Sequence, residues 1–450
     1  MKMKFLSAVL ALGITGLSAP ASATNLADIY MLALENDPQL LRSAAERNAA
    51  KTGVDISRAD WWPQINFALG YSDTRQDNAT LNNAGSYDIT TGSSRTFNKE
   101  LSLSQTVFSL PTWQATDIAE KQAYQSEVAY LLARQQLMLR VTKTYFGVLS
   151  AADSLEFAKA EKRAIERQLE QTRQRFSVGL TAITDVHEAQ AQYDNAVARE
   201  IQANNAVEIA LEGLREITGR HIERIDILNT DTFSPSRPDP EGVQSWIQKA
   251  HERNLSLLIN RSAVEVADQR IDLARAGHYP TVRLTASYSD RDQNTSGRPS
   301  LNGLNSRSIG LQANIPLFSG GKTIASTQQA RDNYVVASQT LEESRRAVER
   351  TVRTAYFDVV SNISTINALE QAVLSAESAL NATQAGFEVG TRTIVDVLNS
   401  TRNLFNARRN LSEARYAYIN STLALYQASG VISESDLLAI NQGLEPAPAD

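Results

Sequence analysis

The chain has 450 residues, a formal charge of −6 and no cysteine. Without thiols it has no disulfide, thiolate metal site, cysteine nucleophile or acylated N-terminal cysteine, and its acidic balance argues against a nucleic-acid partner. Apolar residues make up 42% of it but aromatics only 7%, a composition that suits extended, partly wet helices better than a globular core.

At the N-terminus Lys2 and Lys4 precede an apolar run from Phe5 to Leu17 and the small-residue site Ala21-Ser22-Ala23. This reads as a Sec-type signal peptide over 1–23, and its removal takes the formal charge to −8. No later apolar run has the ~18 to 20 residues of a membrane helix.

The body of the chain repeats itself. "WWPQINFALGYSD" from Trp61 answers "HYPTVRLTASYSD" from His278, "LSLSQTVF" from Leu101 answers "LQANIPLF" from Leu311, and "TYFGV" from Thr144 answers "AYFDV" from Ala355. The offsets of 217, 210 and 211 residues mark a tandem repeat of one unit. The expected divisions are a first repeat over 24–232, a linker over 233–245 with prolines at 235, 238 and 240, a second repeat over 246–430, and a C-terminal segment with a flexible tail over 431–450.

Each unit has two stretches of period-2 alternation. Ile65, Phe67, Leu69 and Tyr71 share one face, as do Leu101, Leu103 and Val107, then Val282, Leu284, Ala286 and Tyr288, then Ile309, Leu311, Ala313, Ile315 and Leu317. Four strands are expected, over about 64–75, 97–108, 281–291 and 307–318, with solvated loops over 75–96 and 292–306. Their length suits tilted membrane-crossing strands. Trp61, Trp62, Phe108, Tyr279 and Phe318 lie at strand ends, where a bilayer interface favours aromatics. Four strands cannot close a barrel and an open edge cannot face lipid, so membrane strands require an oligomer of eight, twelve or sixteen strands. The alternative is a half-buried sheet in a non-conducting periplasmic coiled-coil scaffold.

After each strand pair comes a long helical segment. Val352, Val359, Ile366, Val373, Leu380 and Phe387 recur every seven residues, as do Val141, Val148, Leu155, Lys162, Leu169 and Phe176. Heptads signal coiled-coil packing, and sixty-odd residues make a rod on the order of 100 Å. The rods end at Gly179 and Gly390, each followed within a few residues by another helix. "FSVGLTAITDV" from Phe176 and "FEVGTRTIVDV" from Phe387 are therefore hairpin tips, over 176–186 and 387–397. Thr393 with Asp396 reads as a helix-start capping pair. Ala182 stands where Thr393 does, so that cap is not kept in the first tip although Asp185 is.

Other motifs carry no chemistry. "SGGKT" from Ser319 lacks the glycine a phosphate loop requires, since Pro316 stands in its place, and its glycines suit a strand-to-helix turn. His187, His221, His251 and His278 have no metal-ligand spacing, and no nucleophile elbow is present. Neither an enzyme nor a bound cofactor or metal is expected.

The two-fold repeat, the strand pairs after "WWP" and "HYP", and above all the two tip phrases resemble the TolC family of trimeric outer-membrane exit ducts over essentially the whole mature chain. The resemblance implies a mixed α and transmembrane β fold: long coiled-coil helices forming a periplasmic α-barrel, a belt of smaller elements, and four strands per protomer in a shared twelve-stranded β-barrel. It implies an export channel for drugs, detergents or proteins, working with a periplasmic adaptor and an inner-membrane transporter. The tips then close the entrance, with Thr184 and Asp185 facing Arg392, and Asp396 lining the narrowest ring. Two residues depart from the family: Phe387 replaces a tyrosine, which removes a hydroxyl bond to Asp185, and Asn399 replaces a second ring aspartate.

Overall fold

The computed structural model describes residues 24–81, 83–296 and 299–447; the expected signal peptide lies outside them. α1 (Leu26–Asn36) and α2 (Pro38–Ala59) lead into β1 (Gln64–Leu81), β2 (Tyr87–Ser109), α3 (Leu110–Ser177) and α4 (Ile183–Thr218). β3 (Ile227–Leu228), α5 (Val243–Arg253) and α6 (Leu255–Arg275) precede β4 (Thr281–Thr295), β5 (Leu301–Asn314), α7 (Lys322–Glu388) and α8 (Ile394–Ala428). α9 (Glu434–Gln442) and β6 (Leu444–Glu445) end the described chain. α3 and α7 are 68 and 67 residues long, which at 1.5 Å per residue makes each about 100 Å.

Capping sets the helix boundaries. Asp37 accepts the Leu40 N–H at 2.7 Å to start α2 and also takes the Arg140 guanidinium of α3 at 2.7 Å. Ser109 caps α3, with Pro111 in the first turn where no N–H is needed. As expected, Gly320 and Gly321 take positive φ between β5 and α7.

The four long strands form one antiparallel sheet in the order β1-β2-β4-β5, leaving one edge of β1 and one of β5 unpaired. Its register aligns the alternating positions into rows. Ile65 faces Leu103, which faces Ala286, which faces Ile309; the neighbouring row runs Asn66, Ser102, Ser287, Ser308. That face is apolar across all four strands in the Ile65 row, while the next rows along it end in Arg307 and contain the Lys99–Asp290 ion pair. At β1 it is uncovered within the protomer, with Ile65, Phe67, Leu69 and Tyr71 62–68% exposed.

The strand bounds depart from expectation. β1 and β2 run through most of the stretch read as a solvated loop over 75–96, and β4 and β5 take up much of 292–306. Those residues are mostly polar, and Leu81, Tyr87, Ile89, Leu301 and Leu304 are too widely spaced to give a sustained alternation, but backbone pairing does not require one. Arg95–Asp73 and Thr91–Asp77 link the two strands there at 3.3 and 2.6 Å. β5 stops at Asn314 instead of running to 318, because Pro316 has no N–H to offer a ladder.

The main core lies midway along the rods, where α1, α4, α8 and α9 pack on α3 through Leu26, Ile29, Leu137, Tyr145, Phe146, Leu214, Leu423 and Leu437. A second core packs Trp246 and Ile247 of α5 on Val352, Val359 and Leu425. Beside the main core, β3 pairs with β6, so 431–447 is structured rather than tail-like; the last three residues lie outside the described ones.

The heptad seam holds in part. Val352, Val359 and Ile366 are buried, but Val373 and Leu380 are half-buried. In α3, Val141, Val148 and Leu169 are buried, Leu155 and Lys162 are half-buried, and Phe176 is 41% exposed. Ala158, Ile165 and Thr172 take over the buried line instead. Helix drift of about 20° per heptad does not by itself explain this, since Phe387, five heptads beyond Val352, stays buried; Phe176 lies one residue from the end of α3. Urea denaturation followed by circular dichroism separates the two lines: Ile165→Ala should cost about 2–4 kcal/mol and Phe176→Ala under about 1.

Candidate entrance gate at the hairpin tips

α3 and α7 end in the same way. Gly179 and Gly390 adopt φ of 78° and 80°, a region that side chains disfavour. Leu180 N–H donates to the Arg175 carbonyl at 2.8 Å, and Thr391 N–H donates to that of Gly386, also at 2.8 Å. Gly179 and Gly390 donate to Phe176 and Phe387. Both tips are thus Schellman turns, and the repeated phrases share one backbone geometry.

The side chains diverge. In the second tip the Asp396 carboxylate accepts the Thr393 N–H at 3.0 Å and its hydroxyl at 2.9 Å, while Asp396 N–H donates to Thr393 Oγ1 at 3.2 Å. This is the expected capping box. In the first tip Ala182 offers no cap; the Thr181 hydroxyl donates instead to Asp185 Oδ2. Asp185 is therefore held locally, by the residue aligned with Arg392.

Arg392 does not reach Thr184 or Asp185 within the protomer. Its stem crosses Gly386, where an added Cβ would lie 2.8 Å from Arg392 Cγ. Its side chain is exposed and makes no hydrogen bond or ion pair among the described residues. Thr184 is exposed too, and Thr181 occupies only one oxygen of Asp185. Asn399 accepts the Arg402 guanidinium of its own helix at 2.9 Å.

Phe387 is buried, in a small core with Ile165, Leu169, Ala189, Ile394, Val397 and Leu398 that joins both hairpins. The Arg175 guanidinium of α3 lies over its ring, 4.6 Å from the centroid. Sequence reading missed Arg175. The available signal was the position just before the repeated phenylalanine, which is Arg in one copy and Gly in the other.

A carboxylate ring would raise the Asp396 pKa by like-charge repulsion, but within the protomer the shift runs the other way. The Thr393 backbone N–H, then its hydroxyl, hold the carboxyl below the ordinary carboxylate range, with the Arg392 charge adding to this. Among the described residues no cluster of His, Asp or Glu could hold a metal ion, and no helix is long and apolar enough to cross a membrane.

The open apolar sheet, the pair of rods and the matched hairpin tips define a membrane-sheet and coiled-coil channel protomer. The chain belongs to the outer membrane efflux protein family, whose model matches residues 29–220 and 246–431. It is 46% identical to outer membrane protein TolC of Vibrio cholerae, over 96% of each chain. It is 39% identical to that of Escherichia coli, over 98% of this chain and 89% of the other. It is also 31% identical to the alkaline protease secretion protein AprF of Pseudomonas aeruginosa, over 93% and 86%. Among solved structures, the Campylobacter jejuni outer membrane channel CmeC superposes with a TM-score of 0.76 at 17% identity, covering 99% of this chain and 98% of that one.

The cap makes the second tip acid-sensitive. Because the folded-state pKa of Asp396 is depressed, its contribution is fully present above about pH 4 and is lost as the pH falls through the lowered value. Amide exchange in the first turn of α8 should accelerate over that window, and Asp396→Asn should remove the pH dependence. An acceleration unaffected by that substitution would assign the effect to another group.

Proposed function

We propose that the protein is a homotrimeric outer-membrane exit duct that carries small molecules and proteins from the periplasm to the exterior. The observation that carries this reading is the sheet: four long strands with an apolar row running across all of them, an exposed apolar face at β1 and β5, and two unpaired edges. In hydrocarbon those edges would leave backbone groups without partners, so β1 of one copy pairs with β5 of the next. Three copies close a twelve-stranded barrel, the number the family resemblance implies. Exposed Trp62, Tyr279 and Phe318 then sit at the lipid interface. A scaffold with a water-facing sheet would leave the same apolar rows in solvent.

The rods of three copies form the periplasmic tunnel, and the paired hairpins of 24–232 and 246–430 are copies of one duplicated unit. Residues 233–245 and the described part of the C-terminal segment, 431–447, form its belt. The tips are the gate. Arg392, unpartnered in its own protomer, bridges to Thr184 and Asp185 of a neighbouring copy, and three Asp396 carboxylates ring the pore. With Phe387 and Asn399 in place of a tyrosine and an aspartate, the lock depends more on Arg392 and the ring has three carboxylates instead of six. The duct is passive: a periplasmic adaptor and an inner-membrane transporter open it and choose the cargo. Relatives named for outer-membrane efflux and for protease secretion support both kinds of cargo.

A deletion strain assayed for drug susceptibility and protein secretion tests the export function. Loss of neither would overturn it. In planar bilayers Arg392→Ser should raise the conductance of the isolated channel, and an unaltered closed state would remove Arg392 from the lock. Carboxylates about 6 Å apart repel by roughly 0.7 kcal/mol in water and more in a confined pore, so the ring should confer weak cation selectivity. If Asp396→Ala left reversal potentials unchanged, the ring assignment would be wrong.

A further inference from the structure

The two tips carry one arginine each, at positions that are not equivalent. Counting from the repeated phenylalanine, Arg175 aligns with Gly386 and Thr181 with Arg392. The geometry explains the exchange. Arg392 folds its stem across Gly386 so closely that a Cβ there would stand 2.8 Å from Cγ, so the second tip cannot carry side chains at both positions without displacing Arg392. The first tip has the small Thr181 instead, which turns to Asp185, and its Arg175 is left to reach sideways.

What Arg175 reaches is Phe387, on the other hairpin. The guanidinium carbon lies 4.6 Å from the ring centroid, and Arg175 makes no ion pair or side-chain hydrogen bond among the described residues. The ring belongs to the tip core with Ile165, Leu169, Ile394 and Val397 and is 8% exposed. A planar cation over a mostly desolvated ring is an oriented electrostatic contact, and here it spans from the last turn of α3 to the last turn of α7.

We propose that Arg175 is a positioning residue of the gate: its guanidinium clamps the Phe387 ring, and with it the α7–α8 hairpin, onto α3 within one protomer. It does so in place of the hydroxyl bond that Phe387 cannot make. The proposal rests on the reading of the tips as a gate. The closed state is then held by two arginines with separate tasks, Arg175 inside the protomer and Arg392 between protomers.

Single-channel recording of the purified full-length channel in planar bilayers tests this with Arg175→Gln, Arg175→Lys, Phe387→Leu and the Arg175→Gln/Phe387→Leu double variant, with Arg392→Ser alongside. Removing a half-exposed cation–π contact should raise the open-to-closed ratio about two- to fivefold in Arg175→Gln. Arg175→Lys should recover part of the closure, since an ammonium keeps the charge but loses the planar face. The double variant should open no more than Phe387→Leu alone, because both changes remove one contact. The heat stability of the trimer should be unchanged in Arg175→Gln, which separates a gating role from a folding one. The clamp is overturned if Arg175→Gln conducts like the parent, or if its effect adds in full to that of Phe387→Leu. Should Arg392→Ser open the channel while Arg175→Gln does not, the clamp alone fails; should neither open it, the gate reading fails as well.

Discussion

Ser109 ends β2 opposite Thr281, the first residue of β4, and one residue after Ser109 the chain is already helical. That pairing joins strands nearly two hundred residues apart and sets the starting positions of the rods. α3 grows directly out of β2, α6 runs into β4, and the two helices pack side by side below the sheet. A one-residue slip would turn the Ile65, Leu103, Ala286, Ile309 row to the opposite face. It would also rotate α3 out of contact with its neighbours, so the antiparallel ladder of β2 and β4 carries the alignment of both halves.

Below the sheet the rods depend on a mixture of apolar and charged contacts. Glu161 is buried in α3 and accepts the Arg199 guanidinium of α4 at 2.9 Å; Asp153 accepts the hydroxyls of Ser412 and Tyr416 from α8. Burial, with the Asp153 charge beside it, pushes the Tyr416 phenol up. Removing one member of such a pair leaves its partner buried without compensation, which costs more than the pair contributes. These contacts therefore select register more than they add stability, which suits helices whose small side chains leave only a narrow seam.

At the tips, duplication and divergence act on different parts of the chain. The backbone turn is common to both copies because its hydrogen bonds need only a glycine able to take positive φ. The side chains differ because the tips have different neighbours: Asp396 caps its own helix through Thr393, Asp185 is held by Thr181, and each arginine occupies the position the other tip leaves open.

The four alternating segments, both hairpin turns, the Thr393–Asp396 cap and the strand-to-helix turn at Gly320 and Gly321 were legible in the sequence, because each depends on neighbours a few residues away. The full length of β1 and β2 was not, since residues such as Asp77 and Thr91 are held by pairing across the sheet and carry no local pattern. The buried line of α3 runs through Ile165, Leu169 and Thr172 and leaves Phe176 41% exposed, whereas its counterpart Phe387 is buried, because burial at a tip depends on which neighbours reach it. Arg392 was recognised, but not that its side chain has no hydrogen-bond or ion-pair partner among the described residues of its own protomer, and Arg175 was missed altogether. Its meaning lies in a ring 212 residues away, and only packing brings those atoms together.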